Sequence, residues 1–193
     1  PGLEQAGRVV FVGSLDWLPN QDGVKFFVGE IWEQVRRRCP QATFQMVGRN
    51  PPSDVERLGE LPGVEVVGTV PDVRPYLAQA AVVVVPLRIG GGTRLKIYEA
   101  AAMQKAVVST SLGAEGLDVT HGEHILIADG PDAFASAVAD LLDDESARNK
   151  LAAAARELVC ENYSSEVVAA QFEEICQRAV DAASSSRQTV ENR

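Results

Sequence analysis

Chemistry concentrates in one stretch, Pro86-Leu87-Arg88-Ile89-Gly90-Gly91-Gly92-Thr93-Arg94, which closes an apolar run and opens a helical pattern predicted over residues 92–103. Three consecutive glycines ahead of a helix bring unpaired N–H groups and the positive end of the helix dipole to one place. That makes an anion site. Arg94 and Lys96 then fall in the first helical turn, where cations are disfavoured by ~0.3–1 kcal/mol, and the nearby Arg88 adds to the same positive end. A bound diphosphate turns that conflict into a favourable charge-assisted cluster. The plainer alternative is a flexible turn flanked by solvated basic residues.

Glu99 is the second signal. It shares a helix face with Leu95 and is followed by Ala100, Ala101, Ala102 and Met103. Among such apolar neighbours a carboxylate needs donors. The two hydroxyls of a ribose supply them, whereas an exposed i, i+3 pair with Lys96 needs no ligand. With the glycine loop adjacent, the ribose is the favoured partner. His121 and His124 are separated by a helix-breaking glycine, with no Cys or Asp placed to complete a metal set. They read as an exposed turn, and no metal is expected. Trp32 reads as core, while Trp17 sits where it could face a ligand. The chain lacks the G-x-G-x-x-G and G-x-x-x-x-G-K-[ST] phosphate loops, and no residue sits in a G-x-S-x-G nucleophile motif.

These residues need a scaffold, and the sequence supplies a strand–helix alternation. Apolar strand candidates at residues 9–12, 43–47, 64–67, 81–85, 106–109 and 125–128 read as continuous runs, as strands buried on both faces do. Between the first two, Val24, Phe27, Val28, Ile31 and Val35 follow the 3.6-residue period. Further helices are predicted at 71–80, 92–103, 131–143, 146–161 and 164–182. This is an α/β class, a doubly wound, mostly parallel six-stranded Rossmann-like sheet with helices on both faces. One domain is expected over 1–182, followed by a polar, Ser-rich and disordered tail over 183–193. Ligands of such sheets sit beyond the carboxyl ends of the strands. Substrate contacts are therefore expected from the post-strand loops at Gly13, Ser14, Arg49, Gly68, Thr69, Gly91, Gly92 and Thr93, with Glu99.

The 193 residues carry a net charge of −9. Such a chain repels nucleic acid overall, so an anion must be held by a local basic cluster. No apolar run approaches the ~20 residues of a spanning helix. Cys39, Cys160 and Cys176 have no CxxC spacing and read as reduced thiols of a cytoplasmic protein.

The succession Phe11-Val12-Gly13, Met46-Val47-Gly48-Arg49, Val67-Gly68-Thr69-Val70 and Val83-Val84-Val85-Pro86-Leu87 resembles the C-terminal domain of group 1 (family 4-like) glycosyltransferases of the GT-B fold. Gly92-Thr93-Arg94-Leu95-Lys96-Ile97-Tyr98-Glu99-Ala100-Ala101-Ala102-Met103 is its most specific block, and Gly113-Ala114-Glu115-Gly116-Leu117 continues it. The resemblance covers about residues 8–180. It implies that this domain binds a nucleotide diphosphate sugar such as a UDP-sugar, with Glu99 on the ribose and the glycine loop on the diphosphate. It further implies transfer with retention, no obligatory cofactor or metal, and an N-terminal acceptor domain absent from this chain, through which the whole protein could meet a membrane. Three positions depart from the pattern. The first of the family's paired glutamates falls on Gly91, its Arg after the first strand falls on Ser14, and its Lys is replaced near Asn20 or Gln21. Arg94 and Lys96 are expected to replace the lost charge and to stabilise the leaving group. Alternatives are an epimerase of the same fold and a non-catalytic nucleotide-binding or scaffold relative.

Overall fold

Five of the six apolar runs become strands of four or five residues, and the sixth shortens to two: β1 (Arg8–Val12), β2 (Thr43–Val47), β3 (Val64–Gly68), β4 (Val82–Val85), β5 (Ala106–Ser109) and β6 (Leu126–Ile127). They form one sheet in the order β3-β2-β1-β4-β5-β6, and every pairing is parallel. The computed structural model describes residues 3–191, with side chains through residue 179. Two compact units are distinguished, Pro1–Arg156 and Glu157–Arg193; the sheet belongs wholly to the first.

Strand β6 is shorter than the run expected at 125–128. Only Leu126 and Ile127 find partners on β5, while Ile125 bridges back to His121.

Both faces of the sheet are covered, which is why its strands lack alternation. On one face Val9, Phe11, Phe44, Met46, Val82 and Val84 pack with Phe27, Trp32 and Phe134. Phe27 is the hub, with ring centroids 4.6 Å from Phe44, 5.9 Å from Phe134 and 6.0 Å from Trp32. The indole of Trp32 donates to the carbonyl of Pro62 at 3.2 Å, satisfying its one polar atom. On the other face Val10, Val12, Val83 and Val85 pack with Leu77, Ile97 and Ala100.

The helix predicted between β1 and β2 runs as α1 (Leu18–Phe26), a π-helical turn (Phe27–Ile31) and α2 (Trp32–Arg38). A single widened turn of this kind absorbs an extra residue within an otherwise regular helix. After α3 (Ser53–Glu56) comes α4 (Arg74–Gln79), which starts later than the expected residue 71. Asp72 Oδ1 accepts the Arg74 N–H at 2.9 Å, fixing residues 71–73 as the lead-in. The helix expected over 92–103 is α5 (Leu95–Ala102), with Arg94 as its N-cap. Gly90 and Gly92 have φ of +97° and +98°, a left-handed backbone open to glycine and incompatible with an α-helix. Helix α6 (Pro131–Asp143) starts on its proline as expected, and α7 (Glu145–Tyr163) follows.

An ionic strap fastens the segment before β1. Glu4 Oε1 accepts from Arg148 Nη2 at 2.7 Å and Nε at 3.0 Å, and Oε2 accepts from Lys105 at 3.2 Å. Arg148 and Lys105 are both buried, and Arg148 Nη1 also donates to the Leu141 carbonyl.

In the second unit, α8 (Ser165–Glu191) carries Val168, Phe172 and Ile175 at helical spacing, 48%, 66% and 55% exposed. The helix continues to Glu191, into the stretch 183–193 expected to be a disordered tail; residues 192 and 193 lie outside the described residues.

Glu4→Ala is expected to lower unfolding stability by about 3 kcal/mol, because it strands two buried cations. Urea denaturation checks this; a loss below about 1 kcal/mol would show that water reaches Arg148 and Lys105 at little cost.

Candidate functional site

Parallel strands end together, so their following loops converge on one edge. Three backbone hydrogen bonds stitch these loops: Gly13 N–H to Val47 O (3.0 Å), Leu15 N–H to Arg49 O (2.9 Å) and Gly48 N–H to Gly68 O (3.0 Å). Into this edge, from α5, reaches Lys96.

The Lys96 ammonium donates to Asn20 Oδ1 at 2.8 Å and lies 4.4 Å from the ring centroid of Phe11. Asn20, itself buried, donates through Nδ2 to the Ser14 carbonyl at 2.7 Å. A Cβ on Gly13 would stand 2.6 Å from the Lys96 Nζ and 2.8 Å from the Asn20 Nδ2, so glycine at 13 is what lets these groups close over β1. The partners of the ammonium are thus an amide and an aromatic face. Among the described residues no carboxylate hydrogen-bonds to it or pairs with it. Burial brings its pKa down from 10.5 to about 8, the Arg94 charge pushes the same way, and Glu99 opposes both. An ammonium in such surroundings lacks a counter-charge, and an anion would supply one.

Arg94 is placed differently from the expectation that it faces a phosphate. It is 3% exposed. Its Nη1 donates to Gly91 O at 3.0 Å, and its Nη2 to Gly90 O at 2.8 Å and Leu112 O at 3.2 Å. The guanidinium therefore clamps the glycine loop onto the loop after β5. That second loop is held in turn by Asp129, whose carboxylate accepts the Ser111 N–H at 2.9 Å and the Ser111 hydroxyl. Arg88 is turned away as well. It makes a two-pronged contact with Asp22 (2.8 and 3.1 Å), approaches Glu30 at 3.6 Å and stacks 4.3 Å over Phe26. Acidic residues on the α1 side balance its charge.

The other expected residues lie around the same edge. Gly91, Gly92 and Thr93 are exposed on the clamped loop, and the space where a Cβ of Gly91 or Gly92 would point is open. Glu99 is exposed, and no hydrogen bond or ion pair with Lys96 occupies its carboxylate. Arg49 is exposed and lies 3.4 Å from Asp16, and Thr69 is exposed after β3. A cavity of about 300 Å³ opens beside the glycine loop, lined by Gly92, Thr93, Arg94, Tyr98, Glu115 and Leu117 among others. In the sequence Asn20 stands out only as a departure from a family pattern; its helix is of mixed polarity, with Gln21, Asp22 and Lys25 beside it, so nothing local marks its amide as buried. The carbonyl of Leu112 and the acid Asp129 gave no signal.

His121 and His124 each accept a backbone N–H at Nδ1, from Ile127 (2.9 Å) and Thr120 (3.1 Å). Among the described residues no three His, Cys, Asp or Glu side chains are grouped to hold a metal ion, and no helix is long and apolar enough to cross a membrane.

Arg94→Ala should leave three loop carbonyls without their donor. Backbone order parameters of Gly90–Gly92 are expected to drop below about 0.6 in 15N relaxation. Arg94→Lys should not restore them, since one ammonium lacks the planar fork that reaches all three acceptors. A loop as rigid in R94A as in the parent chain would show that the glycines hold their own conformation.

Comparison with known proteins places this geometry. The chain is 26% identical over 169 residues to an uncharacterized 44.6 kDa protein in the cps region of Klebsiella pneumoniae, covering 83% of the chain and 44% of that protein. The chain thus spans under half the length of the curated relative it matches. The C-terminal domain of a glycosyl transferase group 1 family protein (LpcC) from Francisella tularensis superposes with a TM-score of 0.64 at 19% identity, covering 84% of this chain and 88% of that one. HepE from Anabaena, solved with UDP and glucose, superposes with a TM-score of 0.73 at 17% identity, over 91% of this chain and 49% of that one. Both likenesses show the fold. The model for glycosyl transferases group 1 matches residues 6–144, and the chain belongs to that family.

Proposed function

We propose that this domain binds the nucleotide diphosphate sugar, a UDP-sugar for preference, in a retaining glycosyltransferase whose N-terminal domain holds the acceptor. The observation that carries this reading is the Lys96 ammonium, half-buried over Gly13 without a carboxylate partner, beside a glycine loop with open space in front of it. In this reading Lys96 and the loop amides take the diphosphate, Glu99 takes the ribose hydroxyls, and Arg94 keeps the loop in place. The 300 Å³ cavity beside Thr93 and Glu115 gives the sugar room. In the transfer the bond from the anomeric carbon to the β-phosphate oxygen breaks. The acceptor oxygen bonds to that carbon as its proton departs, and the leaving diphosphate gains a negative charge. Fixed positive charge is worth most there, because it needs no reorganisation as the charge develops. UDP bound to HepE is consistent with the choice of base, and nothing in the relatives named above supports an epimerase. Synthesis from a nucleotide sugar by a chain with free thiols fits the cytoplasm, and no metal is needed to hold the diphosphate.

Calorimetry on this chain should give a Kd for UDP no tighter than ~10 μM, about −7 kcal/mol, with this domain alone holding the nucleotide. UMP should bind more weakly, and magnesium should change little. Lys96→Met should remove most of the diphosphate preference. Glu99→Gln should cost ~1–3 kcal/mol, with a 2′,3′-dideoxy nucleotide losing the same amount in the parent chain and little more in the variant. A metal requirement, or equal affinity for UMP and UDP, would sink the assignment.

The pH dependence has a definite sign. Folded protein releases the Lys96 proton near pH 8 and the unfolded chain near 10.5, so between these values the unfolded state holds more protons. The Lys96 contribution to stability therefore rises with pH across that window. A bound phosphate favours the charged form, so UDP affinity should fall across the same window, and a flat profile from pH 7 to 10 would exclude Lys96 as the phosphate ligand.

A further inference from the structure

We propose that Asn20 is a positioning residue for the Lys96 ammonium, and that its neutrality is what leaves that charge available to a ligand phosphate. The inference rests on the nucleotide-binding reading of the site and deepens it.

The amide bridges two elements. Its Nδ2 is anchored on the Ser14 carbonyl at 2.7 Å, and its Oδ1 receives the Lys96 ammonium at 2.8 Å. Asn20 is 2% exposed, on the first turn of α1, whereas Lys96 comes from the first turn of α5. The ring of Phe11, on β1, forms the floor. Held from one side by an amide and from below by an aromatic face, the ammonium has its remaining N–H bonds pointing elsewhere, since it carries three donors and one is spent.

The charged groups acting on it from its own element are Arg94 and Glu99; α1 and β1 present only the neutral Asn20 and Phe11. A carboxylate at position 20 would occupy the same place and cancel the charge. Asn has the shape of Asp with a donor in place of one oxygen. That donor suits the Ser14 carbonyl, which a carboxylate would repel. Asn20 therefore satisfies both neighbours without neutralising the lysine, and a half-buried cation with a neutral holder retains its affinity for an incoming anion.

Two substitutions move the ammonium in opposite senses. Asn20→Asp supplies a counter-charge, and Asn20→Ala withdraws the acceptor. The primary readout is the titration midpoint of Lys96, followed by 13Cε NMR in the ligand-free protein. It is expected to rise in N20D and to fall in N20A. UDP and inorganic pyrophosphate affinities at pH 7, by calorimetry, should each drop about tenfold or more in N20D, and N20A should bind most weakly at alkaline pH. A merely structural role would weaken both variants without shifting the midpoint in opposite directions.

If neither variant moves the Lys96 midpoint, the proposal is overturned. If N20D does not fold, by circular dichroism, N20A alone decides it on the same readout. Should the parent chain bind neither UDP nor pyrophosphate, the nucleotide reading falls and with it the reserved-charge half of the inference. Opposed midpoint shifts would still establish Asn20 as the residue that holds Lys96.

Discussion

A guanidinium buried among three backbone carbonyls sets the geometry of the site. Gly90, Gly91 and Gly92 contribute no side chain to pack, and two of them lie at φ near +97°, so the loop costs conformational entropy to order. Arg94 offsets that cost by donating to Gly90, Gly91 and Leu112 together. Its planar fork reaches several acceptors in fixed geometry. Because Leu112 follows β5 and the glycines follow β4, one side chain couples two strand ends. Asp129 on Ser111 extends the coupling to the end of β6.

That fixed loop gives the other cation a role Arg94 does not have. Three basic residues lie close in sequence, and each meets a different fate. Arg88 is balanced by Asp22 and Glu30. Arg94 is spent on carbonyls. Lys96, like Arg94, has neutral partners, Asn20 and Phe11, but its single hydrogen bond leaves two of its three N–H donors for a ligand. A chain with a net charge of −9 can hold an anion only where a positive charge is locally uncompensated, and partial burial lessens the screening of this one. The same burial draws the lysine towards neutrality, which is the physical origin of its pH sensitivity.

The scaffold contributes rigidity at the far end from the site. The aromatic hub around Phe27 locks α1 and α2 onto β1 and β2, and this fixes where Asn20 stands at the start of α1. Glu4, between two buried cations, ties the approach to β1 to α7 and to the turn before β5. Strands β1 and β5 are thus braced before their opposite ends reach the loops of the candidate site.

The sequence by itself determined the parallel sheet and so the edge at which its post-strand loops gather. Continuous valine-rich runs between helical patterns admit few other arrangements, because each run needs cover on both faces and right-handed crossovers supply it. It also determined that glycines, Lys96 and Glu99 gather at one place, since all follow the fourth strand within fifteen residues. Local signals misjudged the ends of elements: residues 92–94 read as helix, although left-handed glycines defer it to Leu95, and β6 retained only the two residues that find partners. Which cation keeps N–H donors unspent was decided by tertiary structure alone. Arg88, Arg94 and Lys96 look equivalent in one dimension. Their fates depend on Asp22, Leu112 and Asn20, residues 66, 18 and 76 positions away, and hydrogen bonds over such separations leave no local trace in a sequence.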